Sequence, residues 1–457
     1  MKNLQKPLWN IALPLLLNML VSQVQMIIDR AFLGQIQVAY ISALGNVSAP
    51  LWTTISVLFA LTTGATVLMS QSLGGGKTDD ARSLAHCALK YNSAVALGIF
   101  LFWFLFSRQV FSLMGVTGEV LTYCLQYIRF MIPIILITGV NAASASILQS
   151  NGYTRPILIA GIIRSGLNVV LDWLLIFGHL GFPEMGIQGA ALATSIADLV
   201  GTILLVYLVF TSKRLAFRIS FSEMIAAKAG TYKKIAGKGL PSATEELLWN
   251  AGNLGIIRIL NFVGPLATGV YTIIFSVDII PALIFIAIGQ GVMTLAGQKT
   301  GAGDAQGARQ VGILGLANAW AIAVLFLIVF LTIPEMILRI FTSDASIISS
   351  SVIFLVVAAV NFFPRSANIV LGSGIRGFGD TKWMMKTQVF GTVFVVALSL
   401  LFVLVLKLGI LGVFLATVSD ETARSLINYV RYRKGPSQAE LAGGGEKTAA
   451  EGTPANV

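Results

Sequence analysis

Segments such as Ala94 to Phe106, Ala321 to Ile333 and Val389 to Leu406 are apolar around their whole circumference. A helix in water needs a polar face, and these have none. Alternation of apolar and polar residues, the mark of a half-buried strand, is missing, so lipid is the solvent for which most of the chain is written. Of the 457 residues, 56% are hydrophobic and 11% charged, where soluble domains carry roughly a quarter charged residues. Crossing a bilayer takes roughly 20 residues per helix, and twelve such spans can be drawn: 8–34, 48–73, 84–113, 119–150, 155–178, 186–211, 236–262, 266–296, 306–333, 346–374, 381–406 and 410–433. The expected fold is all-α, a multi-pass membrane protein.

A net charge of +11 raises the question of nucleic acid. The basic residues, however, fall in short clusters between apolar spans and make no continuous stripe, so no nucleic-acid partner is expected. Their order is topological instead. Lys77, Arg82, Arg155, Lys213, Arg214, Lys228, Lys299, Arg309, Lys382 and Lys434 all fall on one side if the first span starts in the cytoplasm, and the opposite loops are nearly bare. By the positive-inside rule both termini are expected in the cytoplasm, with the protein in the inner (plasma) membrane. Lys2 and Lys6 precede an apolar run that continues past Asp29 without a small-residue cleavage site, so the first helix is expected to be retained. Cys87 and Cys124 are isolated, which implies neither a disulfide framework nor a zinc site.

The chain repeats itself. Slid by 227 residues, Leu13-Pro14 falls on Leu240-Pro241, and Gly64, Gln71, Gly74, Gly76 and Arg82 fall on Gly291, Gln298, Gly301, Gly303 and Arg309. After a four-residue gap, Gly186 to Thr194 aligns with Gly409 to Thr417. Each copy holds six crossings, so the copies form parallel six-helix bundles related by a pseudo-twofold axis along the membrane normal. Transporters commonly carry substrate between such halves. The domain expectation is an N-lobe at 1–211, a basic cytoplasmic linker at 212–235, a C-lobe at 236–434 and a disordered tail at 435–457, in a monomer surrounded by lipid.

Ionisable groups inside a bilayer are costly, and each one is a functional candidate. Asp29 lies in the outer half of the first span. Asn168 and Asp172 stand one turn apart on the fifth and share a face, and Thr194 on the sixth can add a hydroxyl. These four oxygen-bearing side chains could form a compact cation site, and a carboxyl group removed from water favours its neutral form, which suits proton exchange. The competing structural role is an ion pair from Asp29 to Arg30 or Arg164. Asp198, Asp278, Asp420 and Glu421 read as packing or interfacial groups. One of Glu245 and Glu246 is expected to face a cavity. Pro14 and Pro241 interrupt helical hydrogen bonding at equivalent places, and Pro14 is a candidate hinge. Met26 and Met69 are candidate lining for a cavity that takes varied apolar cations.

Leu13-Pro14 followed by Asp29 and Gly34, Gln71 with the glycines before Arg82, Gln149 to Pro156, Asn168 to Asp172, the repeated Gly-Ile-X-Gly…Leu-Ala-Thr, and Arg376 to Thr381 together resemble the multidrug and toxic compound extrusion (MATE) transporters over residues 5 to 434. The resemblance implies a V-shaped pair of six-helix lobes that exports cationic or amphipathic organic compounds against inward H+ or Na+ flow, with no cofactor. It also implies an N-lobe coupling site of the prokaryotic, DinF-like kind, with Asp29, Asn168, Asp172 and Thr194 as its ligands. Those residues would be metal ligands only if the ion is Na+, and the first helix would bend near Pro14. Positions where NorM-like members carry further acids hold Asn250 and Arg365 here, so these two are expected to touch a cavity or substrate and coupling is expected through the N-lobe. The alternative is a lipid-linked or glycolipid flippase of the same superfamily. An enzyme is not expected, since HExxH and GxSxG are absent, and Gly76-Lys77-Thr78 lacks the first glycine of a phosphate loop.

Overall fold

The computed structural model describes residues 2–441, so most of the expected tail, 442–457, lies outside the described residues. Twelve long helices follow one another: α1 (Lys2–Ile36), α2 (Val38–Gly74), α3 (Thr78–Leu113), α4 (Gly118–Ser150), α5 (Arg155–Phe177), α6 (Ile187–Thr211), α7 (Ala229–Val263), α8 (Pro265–Gly301), α9 (Ala305–Thr332), α10 (Ala345–Gly377), α11 (Thr381–Leu400) and α12 (Gly409–Lys434). Among the described residues there is no strand. Lipid offers the backbone no hydrogen-bond partner, so each apolar segment must satisfy its amides internally, and helices do so. Ten of the twelve are long and apolar enough to cross a membrane by composition alone. The other two, α7 and α12, carry Glu245, Glu246 and Arg258, and Asp420, Glu421 and Arg424 respectively. Charged side chains of both are paired within the bundle, Arg424 with Asp420 on its own helix and Glu245 with Arg376 of α10.

The helices form two six-helix halves, α1–α6 and α7–α12, in the V-shaped arrangement expected of them. The apex lies at the end bearing the basic loops. Hydrogen bonds between the halves run from Gln5 to Asn318 (2.8 Å), Gln149 to Thr294 (3.3 Å), Gln71 to the Gly377 carbonyl (2.9 Å) and Gln298 to the Ser150 carbonyl (2.8 Å). The last two are repeat mates: each half donates a glutamine amide to the other half's equivalent carbonyl. Glycines allow that approach. A Cβ on Gly74 would overlap the Gln298 carbonyl oxygen, and one on Gly301 would overlap that of Gln71. Deeper in, Gly64 lies against Ile235 and Gly239 of α7, while its mate Gly291 lies against Leu8 and Ala12 of α1. Small residues let helices approach closely where lipid supplies no hydrophobic drive between them.

Both copies also reuse one turn. Gly76 and Gly303, which follow α2 and α8, take φ of 72° and 74°, a left-handed backbone that only glycine adopts freely. Beyond the second turn Asp304 caps α9, accepting from the Gly307 amide (2.7 Å) and from Lys299 (3.0 Å). These bonds, the Gly307 amide first, hold its carboxyl below the usual carboxylate range. A lowered folded-state value contributes stability above the unfolded pKa, lost as pH falls through the folded one. Asp304→Ala is therefore expected to lower stability at neutral pH by about 1 kcal/mol or less, given its exposure. The gap from wild type should close at strongly acidic pH, which paired thermal melts at the two pH values would measure.

The segment expected as a plain basic linker is docked. Leu215, Phe217 and Ile219 are buried, and a short helix at Phe221–Ala226 lies beside α3. There Glu223 pairs with Arg82, and Lys90 donates to the carbonyls of Ile225 (2.6 Å) and Ala227 (3.0 Å). α7 then begins at Ala229, before the span boundary. Of the expected tail, Gln438–Leu441 is a short helix whose Glu440 pairs with Arg431 (2.9 Å).

Candidate functional site

Three helices of the first half bring the polar residues together. Gln25 and Asp29 stand one turn apart on α1, Asn168 and Asp172 one turn apart on α5, and Thr194 lies on α6. α6 can reach α5 because Gly189 lies against the Leu175 backbone, where a Cβ would stand 2.5 Å from the carbonyl oxygen. Asn168 and Asp172 are fully buried, Gln25 nearly so, and Asp29 is half-buried. The Asn168 side-chain amide lies 3.0 Å from the Asp29 carboxyl, 2.7 Å from Gln25 Nε2 and 3.3 Å from the Thr194 hydroxyl. Gln25 donates to Asp29 and itself accepts from the Ser165 hydroxyl (2.7 Å).

The carboxyl groups of Asp29 and Asp172 lie beside each other, and Asp172 Oδ1 has no hydrogen-bond partner among the described residues. Ionised carboxylates only accept hydrogen bonds. The pair therefore needs a shared proton or a cation between its oxygens, and the site can bind one or the other. Neither arginine weighed against this role is engaged with Asp29. Arg30 is exposed, and Arg164 pairs with Asp198 (3.3 Å) and donates to Ser22 (2.6 Å). The four residues singled out in the sequence thus converge, and the structure adds Gln25 and Ser165. The i, i+4 spacing of Gln25 and Asp29 was the available signal for the former.

A model of the MatE family matches residues 14–174 and again 241–401, twice along the chain and in the register of its internal repeat. The chain belongs to the MatE family. Members of this family are transporters and not enzymes. The chain is similar to the probable multidrug resistance protein NorM of Thermotoga maritima, at 29% identity over 94% of this chain and 93% of the relative. A FAD transporter of Shewanella oneidensis is 22% identical over 81% of this chain and 82% of its own length. Among solved structures, the outward-facing conformation of a multidrug resistance MATE family transporter of the MOP superfamily superposes with a TM-score of 0.87, covering 94% of this chain and 95% of that one at 19% identity.

The remaining candidates of this MatE protein are dispersed. α1 runs unbroken through the buried Pro14, and α7 through Pro241. Met26 is half-buried, whereas Met69 is fully enclosed near the apex with the Ser150 hydroxyl 4.0 Å from its sulfur. Glu245 pairs with Arg376 of α10, and Glu246 has no ion-pair partner among the described residues. Asn250 spends its amide on the Glu246 carbonyl (2.9 Å). Arg365 pairs with Asp278 of α8, and both border a cavity in the second half.

The two halves also tie their last helices by a swapped device. In the first half, Arg164 of α5 lies over Gly201 of α6, with 3.1 Å from its Cβ to where a glycine Cβ would stand, and pairs with Asp198. In the second, the arginine is on the other helix: Arg424 of α12 lies over Gly391 of α11, its Cδ 2.5 Å from where a glycine Cβ would stand, and pairs with Asp420 and Glu421 of its own helix. Glu421 is the repeat mate of Asp198, Arg424 that of Gly201 and Arg164 that of Gly391, so the charge has changed sides; its ion pairs now lie within α12, and Arg424 reaches α11 by donating to Gln388 (2.9 Å).

Proposed function

We propose that the protein is a secondary active exporter of cationic or amphipathic organic compounds, driven by inward flow of H+, or of Na+, through the Asp29–Asp172 site. The single observation that carries this reading is a pair of neighbouring carboxyl groups, Asp172 fully buried and Asp29 half-buried, with neither in an ion pair among the described residues. Coupling needs a group whose occupancy changes the position of a helix. Two ionised carboxylates about 4 Å apart at an effective dielectric of about 20 repel by about 4 kcal/mol, so a proton or cation that lets them touch draws α1 onto α5, and its loss pushes α1 away. Asn168 and Thr194 complete an oxygen shell that suits either ion.

Under the positive-inside rule the apex is cytoplasmic and the open end of the V faces outward. Binding of the ion from outside would move α1, with Pro14 as the hinge that lets its outer part bend, and release substrate; opening of the apex would then return the site to the cytoplasm. Of the four arginines that favour a flippase holding an anionic lipid head, Arg164 is neutralised by Asp198 and Arg365 by Asp278, while Arg129 and Arg258 are exposed. Reconstitution in liposomes, with efflux of rhodamine 6G followed under a pH gradient and then a sodium gradient, tests the reading. Movement driven by either gradient supports it and names the ion. No movement under both, with lipid-linked substrates translocated instead, would overturn it.

A further inference from the structure

Phe221 and Ile225 are 63% and 57% exposed, yet both fall in the connection between the two halves, outside all twelve long helices. They stand one turn apart on the short helix Phe221–Ala226 and so share a face. Glu223 lies on the opposite face, where it pairs with Arg82 of α3, and Met224 packs against the core. A single apolar side chain on a surface needs no explanation. Here, however, a short helix spends its acid on its neighbour and turns a phenylalanine and an isoleucine outward together.

Contacts along α3 fix the depth of that face in the bilayer. No charged residue lies between Lys90 and Arg108. At 1.5 Å per residue that interval is about 27 Å, close to the roughly 30 Å of a hydrocarbon core, so Lys90 marks the edge of the core on the side of the basic loops. The short helix lies between Arg82, which meets Glu223, and Lys90, which donates to the carbonyls of Ile225 (2.6 Å) and Ala227 (3.0 Å). From Arg82 to Lys90 α3 rises about 12 Å, an interval that takes in the head-group layer. The stretch leading into the helix supplies charge. Leu215, Phe217 and Ile219 point inward, while Lys213, Arg214 and Arg218 are exposed. The Ala216 amide donates to Asn151 Oδ1 and the Ser220 amide to His86 Nε2, each at 3.0 Å, which holds the stretch against the first half. Between Ser212 and Lys234 the one acid is Glu223, already taken by Arg82.

We propose that residues 213–226 form an interfacial anchor for anionic phospholipid: Phe221 and Ile225 enter the membrane beside α3, and Lys213, Arg214 and Arg218 hold the anionic head groups around it. Lipid is favoured over an acidic protein because the apolar face lies at the depth where acyl chain and phosphate are presented together. The face is also continuous with the outward-facing Leu97, Leu101 and Phe102 of α3, which lie within the core. Each basic side chain near an anionic surface strengthens its attraction by about fivefold, so the three give about a hundredfold preference for anionic over zwitterionic lipid. The anchor stands whether or not the protein is an exporter.

The test places a fluorophore beside the anchor. Full-length Ser222→Cys is labelled with NBD, the native Cys87 and Cys124 being buried, and is put into nanodiscs of phosphatidylcholine alone or of an equal mixture with phosphatidylglycerol. Quenching is by acrylamide, which is uncharged and so reads shielding and not surface potential. Phosphatidylglycerol is expected to slow quenching by about threefold or more. Lys213→Gln, Arg214→Gln and Arg218→Gln combined should remove the difference between the discs, and Phe221→Ser with Ile225→Ser should leave the probe open to quencher in both. All five side chains are exposed, so both variants should melt near wild type. If the triple variant does not fold, high salt, which screens exposed charges, takes its place and should abolish the shielding. Equal quenching in the two discs, or a difference that neither the triple variant nor salt removes, would overturn the inference. So would polyglutamate that shields the probe in phosphatidylcholine discs as fully as phosphatidylglycerol does, since the cations would then serve an acidic protein.

Discussion

Asp29→Asn and Asp172→Asn are each expected to bring gradient-driven efflux down to the rate of protein-free liposomes. Asparagine keeps the size and the hydrogen-bonding capacity of the side chain and removes the titratable oxygen. The roughly 4 kcal/mol that separates the touching from the repelling pair corresponds to nearly three decades in the population of the contact, and either substitution erases that difference. Asp198→Asn is the contrast. It leaves Arg164 without its carboxylate partner, so it should lower the melting temperature while driven efflux per folded molecule survives. The assay is dye efflux from liposomes of matched protein content. Retention of more than about half the driven rate in Asp29→Asn would remove that residue from coupling.

Gly74→Ala and Gly301→Ala are expected to open the basic end of the molecule. In each, the new methyl group collides with a backbone carbonyl of the facing helix, and a carbonyl cannot swing aside as a side chain can. Overpacking costs about 1–3 kcal/mol even where side chains can adjust, which amounts to about tenfold or more in favour of the separated apex. Maleimide labelling of Ser150→Cys, buried at the apex, reads this directly because the native Cys87 and Cys124 are themselves buried. Labelling should accelerate by about tenfold or more in either glycine variant. Gly98→Ala, which meets nothing within 4 Å, should leave the rate unchanged. Equal rates in all three would mean that the apex does not depend on these contacts.

What the sequence disclosed and what it hid follow one physical division. Transfer into lipid acts on each segment separately, so the spans and the twofold register could be read along the chain without knowing what any helix touches. Asn168 and Asp172 were visible for the same reason, being one turn apart on one helix. Gln25 stands at the same spacing from Asp29 and was passed over because a glutamine in a helix carries no cost large enough to mark it; its contacts with Asp29 and Ser165 give it a role. Arg365 stood out as a basic residue where an acid was expected, yet its partner Asp278 lies on another helix, and nothing local predicts that they meet. The docking of residues 215–227 on α3 was hidden likewise, since a basic stretch reads as solvated until Glu223 is seen against Arg82. Gln71, Gly74, Gln298 and Gly301 were noticed as matching letters of a repeat. Their meaning needed the halves face to face.

Those four residues make the apex resemble the seam of a homodimer. In an isologous interface residue i of one subunit meets residue j of the other and j meets i, so the contacts come in identical pairs. Here one chain supplies both members: the amide of Gln71 reaches Gly377 as that of Gln298 reaches Ser150, and Gly74 and Gly301 exchange places in the same way. Contacts related by a rotation axis are lengthened together by any movement that keeps the axis, and neither can be given up while its mate is held. The seam therefore has a joined state and a parted state with little between them, a mechanical toggle with the two-position character that packed interfaces use to turn small shifts into large ones.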